Sequence, residues 1–298
     1  MKLTGSRVVV TGAGGFLGAA VCRRLRRSGN EVIPWLRTDV DLLDKSAVRT
    51  ALADARPAGV VHLAAAGVRT PGSDDPRIVI DNVRMTEHVV GAMEPGSTVV
   101  VAGSMTEYGR SGTLSEDDPC APLTTYNRGK HEAGLRAIGI GAQRGVRVTI
   151  ARLFHLFGPG EPEHRLFPSL LRSLPRGESV ALSDGLQRRD NVHVGDAAEV
   201  LRRLLLADPA LLPDGSVVNV GTGVGILIRD AAEWITESLE ANPSLLHFGA
   251  RERSPADQDV LVADTRRLAR VIGTAPPCRL MPGLDFRRLM QTYELEEW

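Results

Sequence analysis

Lysine is nearly absent from this chain. Among 298 residues it occurs only at Lys2, Lys45 and Lys130, so arginine supplies almost all of the 36 basic side chains. A lysine inside a structured motif is therefore informative here. Net charge is absent as well, since Lys+Arg and Asp+Glu are both 36, which removes any chain-wide electrostatic reason to bind nucleic acid or a membrane surface. Cys22, Cys120 and Cys278 are odd in number and widely spaced, which excludes a disulfide framework and offers no zinc spacing. The seven histidines include no His-Glu-x-x-His, and His131-Glu132 reads as helix surface, so no metal site is expected. No apolar run approaches the ~18 residues of a membrane span, and Val8-Val9-Val10 is too short for a signal-peptide core. A cytoplasmic protein is expected. Disorder and fibrous repeats are excluded by 43% hydrophobic and 24% charged residues without internal repetition.

Alternation of short apolar runs with helical periodicity organises the first half. Arg7 to Thr11 reads as a strand, followed by a glycine-rich turn and a helix from Phe16 to Leu25 closed by Ser28-Gly29-Asn30. Strands at Glu31 to Leu36, Gly59 to Leu63, Thr98 to Ala102 and Arg147 to Ala151 alternate with helices at Asp44 to Ala53, Pro76 to Met93 and Thr125 to Arg144. Continuously apolar strands separated by helices predict an α/β fold, a doubly wound parallel sheet of Rossmann type covered on both faces. After Gly158-Pro159-Gly160 the rhythm breaks. Residues 1–160 are read as a dinucleotide-binding domain and 161–298 as mostly a smaller substrate lobe, with parts near 186–222 returning to the first domain.

Two constellations carry chemistry. In Thr11-Gly12-Ala13-Gly14-Gly15-Phe16-Leu17-Gly18, the glycines at 12, 15 and 18 permit a tight turn, close backbone approach and close helix packing, directing a helix N-terminus at a pyrophosphate. The next strand ends Trp35-Leu36-Arg37 with no carboxylate at its tip. Arg37 suits a 2′-phosphate, which favours NADP(H); a solvated Arg37 and nearby Asp39 and Asp41 keep NAD(H) as the alternative. The second constellation is Tyr126-Asn-Arg-Gly-Lys130. Residues i and i+4 share a helix face, so Lys130 can lie beside the phenol and lower its pKa from about 10, as a general acid or base requires. Three tyrosines and three lysines give such a pair by chance about 0.03 of the time. Upstream, Ser104 stands just beyond the buried strand Val99 to Ala102, where open α/β sheets bind ligands.

Together these residues resemble the extended short-chain dehydrogenase/reductase family, in its branch of NAD-dependent nucleotide-sugar epimerases, dehydratases and reductases. The likeness runs through Gly12/Gly15/Gly18, His62-Leu63-Ala64-Ala65, Asn82, Ser104 with Tyr108-Gly109, Tyr126/Lys130, and Arg152-Leu-Phe with Gly158-Pro159-Gly160. It continues through Gln187-Arg188-Arg189-Asp190, Val192-His193-Val194-Gly195-Asp196 and Asn219-Val-Gly221. The resemblance implies that Ser104 and Tyr126 bond the substrate oxygen that gains or loses hydride and that Lys130 bonds the nicotinamide ribose. It implies cofactor contacts from Phe16, Leu17, Asp41, Leu42, Leu63, Ala64, Ala65 and Asn82, and substrate contacts from Met105, Thr106, His155 and Arg189. It also implies a homodimer.

Departures from the family pattern narrow the expectation. Family dehydratases carry an Asp-Glu pair directly after the residue matching Ser104, where this chain has Met105 and Thr106. Family epimerases keep an acidic strand-two tip, which is missing. The resemblance therefore points to an NADPH-dependent 4-ketoreductase acting on an NDP-4-keto-6-deoxyhexose, dTDP-linked, in activated deoxysugar synthesis. A nucleotide-sugar 4-epimerase with bound NAD is the alternative, and a non-catalytic NADP(H)-binding sensor or scaffold is the reading from another class.

Overall fold

A computed structural model describes residues 5–68 and 74–293. Residues 1–4, part of the N-terminal stretch weighed against a signal peptide, lie outside them. The first half runs β1 (Arg7–Thr11), α1 (Phe16–Arg27), β2 (Glu31–Trp35), α2 (Lys45–Ala55), β3 (Gly59–His62), α3 (Arg77–Gly91), β4 (Thr98–Ser104), β5 (Gly112–Leu114), α4 (Thr125–Arg144), β6 (Arg147–Leu153) and β7 (His155–Phe157). The second half runs α5 (Leu166–Ser173), β8 (Val180–Ala181), β9 (Arg188–His193), α6 (Val194–Leu205), β10 (Ser216–Val220), β11 (Gly225–Leu227) and α7 (Ile228–Ser238). It closes with β12 (Leu246–His247), β13 (Val260–Ala263), α8 (Arg266–Ile272) and α9 (Phe286–Gln291).

Six strands form one parallel sheet in the order β10-β6-β4-β3-β1-β2. Side-chain alternation sends Val8, Val10, Val61 and Val100 into a core shared with α1 and α6, and Val9, Val60, Val99 and Val101 into another shared with α2, α3 and α4. Burial on both faces explains why these strands read as unbroken apolar runs. The chain steps from β1 outward to β2 and then back to β3 on the other side, so the sheet reverses its winding between β1 and β3. Ligands of open α/β sheets bind in the crevice beyond such a reversal.

A second sheet, in the order β11-β9-β13-β5 with β7 pairing β9, forms beside the first. Asp190 pins it: its buried carboxylate accepts from the Thr222 amide at 2.8 Å and hydroxyl at 2.7 Å, and from the Gly223 and Ala263 amides at 2.9 and 3.1 Å. A separate apolar cluster, including Phe157, Phe167, Leu170, Ile235 and Phe286, fills the C-terminal half. Among the described residues no helix is long and apolar enough to cross a membrane.

One ionic knot ties the glycine-turn helix to the rest. Glu199 on α6 accepts from Arg24 on α1 at 2.6 Å and from Arg202 and Arg203 at 2.7 Å, and its side chain is only 8% exposed. Burial opposes ionisation there, but the three guanidinium hydrogen bonds win and bring its pKa down to about 2. A depressed carboxylate pKa stabilises the fold above the unfolded value near 4.5 and loses that contribution as pH falls toward 2. Glu199→Gln is therefore expected to cost on the order of 2 kcal/mol at neutral pH. Denaturant melts should show that difference from the native chain shrinking between pH 4.5 and pH 2.

Candidate active site

The glycine turn is built by contact. Gly12 has φ of 67°, and a Cβ placed there would lie 2.9 Å from the Ala64 nitrogen. A Cβ on Gly18 would collide with the Gly12 carbonyl. Gly15 caps α1 in extended conformation, so no side chain caps the first amides of α1, at Phe16, Leu17 and Gly18, the condition under which a helix N-terminus can take an anion.

Beside the turn, Thr11 Oγ1 accepts from the Leu63 and Ala64 amides at 3.1 and 3.2 Å, which commits its own proton to His62 Nδ1 at 2.8 Å. His62 Nε2 must then donate to Thr86 Oγ1 at 3.2 Å, and Thr86 donates to the Asn82 carbonyl at 2.9 Å. His62 is thus fixed as one neutral tautomer, and burial, with Lys130 adding to it, holds its pKa down to about 3. Asn82 completes the clasp by accepting from the Ala66 amide at 3.0 Å and donating to the Ile78 carbonyl at 2.7 Å. Leu63, Ala64 and Ala65 therefore stand half-buried on a fixed loop beside the turn.

At the β2 tip Arg37 is exposed and has no partner among the described residues. The carboxylates near it are engaged: Asp39 accepts from the Leu36 amide and Asp41 from the Leu43 amide, both at 2.9 Å. Leu42 is buried against Val48, Leu52 and Trp35.

Ser104 ends β4, and Tyr126 and Lys130 lie on the first turns of α4, whose N-cap is Thr124. The helix comes close because Gly129 packs on α3; a Cβ there would sit 3.1 Å from Asn82 Nδ2 and 3.2 Å from the Ile78 carbonyl oxygen. Thr106 Oγ1 donates to Asn127 Oδ1 at 2.8 Å, which makes Ser104 the donor in its 2.7 Å bond to Thr106. Met105 is buried in the core. Tyr126 does not titrate as the spacing implied. Burial pushes its phenol above the ordinary value of 10, the Glu107 carboxylate adds to the rise, Arg165 opposes it, and Lys130 is not among the groups that move it. Lys130 is itself buried, which brings its ammonium down to about 8 against the pull of Glu107.

Sequence reasoning overlooked Glu107. Its buried carboxylate accepts from the Ser104 amide at 2.7 Å and Arg152 Nε at 3.1 Å, and lies 3.7 Å from His131 Nδ1. Burial would raise its pKa, but His131, Arg152 and the Ser104 amide hold it below the usual value. His131 is consequently not the surface residue expected: its ring turns toward this carboxylate. Ligand-capable atoms of Glu107, Cys120 and His131 lie within 4.8 Å of one another. The Arg152 guanidinium already bridges two of them, donating to Cys120 Sγ at 3.0 Å, so the negative charge is neutralised by a protein cation.

A cleft of about 370 Å³ is lined by His155 and Leu156 of β7 and otherwise by residues between Glu161 and Asp257. Pairing of β7 with β9 sets His155 opposite Asn191, and Arg189 lines the same cleft. Arg189 is buried, bonded to Asp257 and to the Arg188 carbonyl. Burial, with Arg189 and Arg165 nearby, brings His155 down to about 3. Ser104, Met105 and Thr106 do not line this cleft; His155 and Arg189 do.

The NAD dependent epimerase/dehydratase family matches residues 8–221, most of the chain. The chain belongs to this family. It is an NAD(P)-dependent enzyme of the extended short-chain dehydrogenase/reductase type. It is 33% identical over 261 residues to dTDP-6-deoxy-L-talose 4-dehydrogenase (NAD(P)(+)) of Kitasatospora kifunensis, covering 78% of this chain and 79% of the relative. It is 26% identical over 314 residues to UDP-glucose 4-epimerase of Rhizobium meliloti, covering 91% and 92%. Among solved structures, RMD from Pseudomonas aeruginosa complexed with NADPH superimposes with a TM-score of 0.81 at 24% identity, covering 93% and 94%, a likeness of fold. Other matching structures hold NAD.

Tyr126→Phe removes the phenolic proton at this position while leaving the packing of the ring in place. Turnover is expected to fall at least about a hundredfold, with nicotinamide-cofactor affinity, read by titration calorimetry, close to that of the native chain.

Proposed function

We propose that this enzyme reduces the 4-keto group of an NDP-4-keto-6-deoxyhexose, dTDP-linked, with NADPH. The observation that carries the reading is the pair of side chains directly after Ser104. Elimination of water needs an acid and a base beside the reacting carbons, yet Met105 is buried in the core and Thr106 is held by Asn127. Glu107, the nearest carboxylate in sequence, is occupied by Arg152 and the Ser104 amide. The remaining groups suit a single addition of hydride and proton. The relative from Kitasatospora supports this, because a 4-dehydrogenation read backwards is a 4-keto reduction.

In this mechanism Ser104 turns its hydroxyl from Thr106 to the ketone oxygen and polarises it. NADPH, when bound, supplies the hydride. Tyr126 delivers its proton to the C4 oxygen, and a phenol held above its ordinary pKa is loaded for that transfer at neutral pH. With the cofactor bound, Lys130 would hold the nicotinamide ribose, the α1 amides the pyrophosphate and Arg37 the 2′-phosphate. The choice of NADPH rests on that free arginine beside carboxylates already engaged with backbone amides.

In this reading residues 1–160 hold the cofactor and 161–298 mostly hold the sugar nucleotide, with parts near 186–222 returning to the first domain. We further propose a homodimer through α3 and α4, where Ile80 and Leu135 are 46% and 58% exposed. Epimerase, dehydratase and decarboxylase names are common among the other relatives, so an epimerase with bound NAD is the competing reading.

The test is spectrophotometric. With dTDP-4-keto-6-deoxyglucose the enzyme should oxidise one NADPH per sugar reduced, and with stable sugar nucleotides none. Retained NAD, no net consumption and isomerised sugar would move the assignment to the epimerase.

A further inference from the structure

Three buried polar atoms of cleft-lining residues lack a hydrogen-bond partner, His155 Nδ1, Glu161 Oε2 and Arg253 Nε, the last standing 3.6 Å from the Asp257 carboxylate. Such atoms each cost stability in an isolated fold and mark places that a ligand completes. Glu161 is the most telling. Its side chain is only 4% exposed, and its nearest cation, Arg165, stands 3.9 Å from Oε1, leaving Oε2 unused. Burial brings its pKa up to about 7 against the opposing effects of Arg165 and the Gly158 amide.

Arg165 lines the cleft beside Glu161 and His155, and its guanidinium acts on both. Four arginines, Arg165, Arg189, Arg251 and Arg253, line the cleft against three carboxylates, Glu161, Glu252 and Asp257, which leaves a net positive lining. That charge suits a diphosphate and disfavours a cationic ligand. A carboxylate would repel the diphosphate, so Glu161 faces the uncharged part of the same molecule.

We propose that Glu161 is a specificity-determining residue that accepts a hydrogen bond from a ring hydroxyl of the bound sugar through Oε2, and so selects which ring positions must carry oxygen. The inference rests on the nucleotide-sugar reading of the cleft. A neutral donor satisfies the orphaned oxygen without adding charge to an arginine-lined site. A ligand lacking that hydroxyl leaves a buried acceptor unpaired, which is how sites of this kind reject deoxy analogues.

The test is calorimetric binding of dTDP, dTDP-glucose and its 2-, 3- and 4-deoxy analogues, repeated in the UDP series, to the native chain and to Glu161→Gln. The native chain should bind one deoxy analogue about tenfold to a hundredfold more weakly than the parent sugar nucleotide. Glu161→Gln, isosteric and checked for an unchanged melting profile, should shrink that ratio several-fold while binding the free nucleoside diphosphate as the native chain does. Equal weakening of every ligand, the free diphosphate included, would assign Glu161 a structural role and overturn the proposal. So would preserved discrimination in the variant, or native affinity that ignores ring hydroxyls in both series. None of these readouts depends on NADPH oxidation, so the reductase reading stands or fails separately.

Discussion

The close approach of Gly12 to Ala64 is the constraint on which the site depends. It brings the ends of β1 and β3 together at the point where the sheet reverses its winding, leaving no room for a side chain between them. Thr11 makes the approach permanent by taking both amides of the opposing loop on one hydroxyl oxygen. The consequence propagates through a chain of hydrogen bonds with only one consistent direction, from Thr11 through neutral His62 and Thr86 to the Asn82 carbonyl. Asn82 in turn touches the helix that carries Tyr126 and Lys130, across Gly129. The glycine turn and the helix α4, distant in sequence, are thus referenced to one another through side-chain hydrogen bonds and the close contact at Gly129.

Electrostatics at the site are arranged around buried Glu107. Its negative charge neutralises Arg152, fixes the amide of Ser104 and raises both the Lys130 ammonium and the Tyr126 phenol. Desolvation acts oppositely on the latter two, lowering the ammonium and raising the phenol. The outcome is a tyrosine that keeps its proton beside a lysine that holds its own less tightly than usual. Both groups are protonated or nearly so at neutral pH, the state from which a proton can be given rather than taken.

Much of the architecture was legible because local and tertiary demands agree. The strand, glycine turn and helix at residues 7–27 read correctly, and α4 spans Thr125–Arg144 as expected, with Thr124 capping its start and Gly145, φ of 67°, ending it. The second sheet was not legible, because β5, β9, β11 and β13 are three to six residues long and meet only in three dimensions. Helical spacing suggested that Lys130 would lower the Tyr126 pKa, but spacing carries no information about burial, and burial dominates both groups. Glu107 was overlooked for the same reason: a glutamate in a short helix looks solvated until its surroundings are known.

The central claim is that hydride enters the sugar at C4 from outside and stays there. Stereospecifically deuterated NADPH, supplied with dTDP-4-keto-6-deoxyglucose, tests it directly by mass analysis of the sugar product. The account predicts one deuterium per product molecule, at C4, from one face of the nicotinamide only. Product isomerised without deuterium, its hydride having returned from a cofactor that never left, would contradict it.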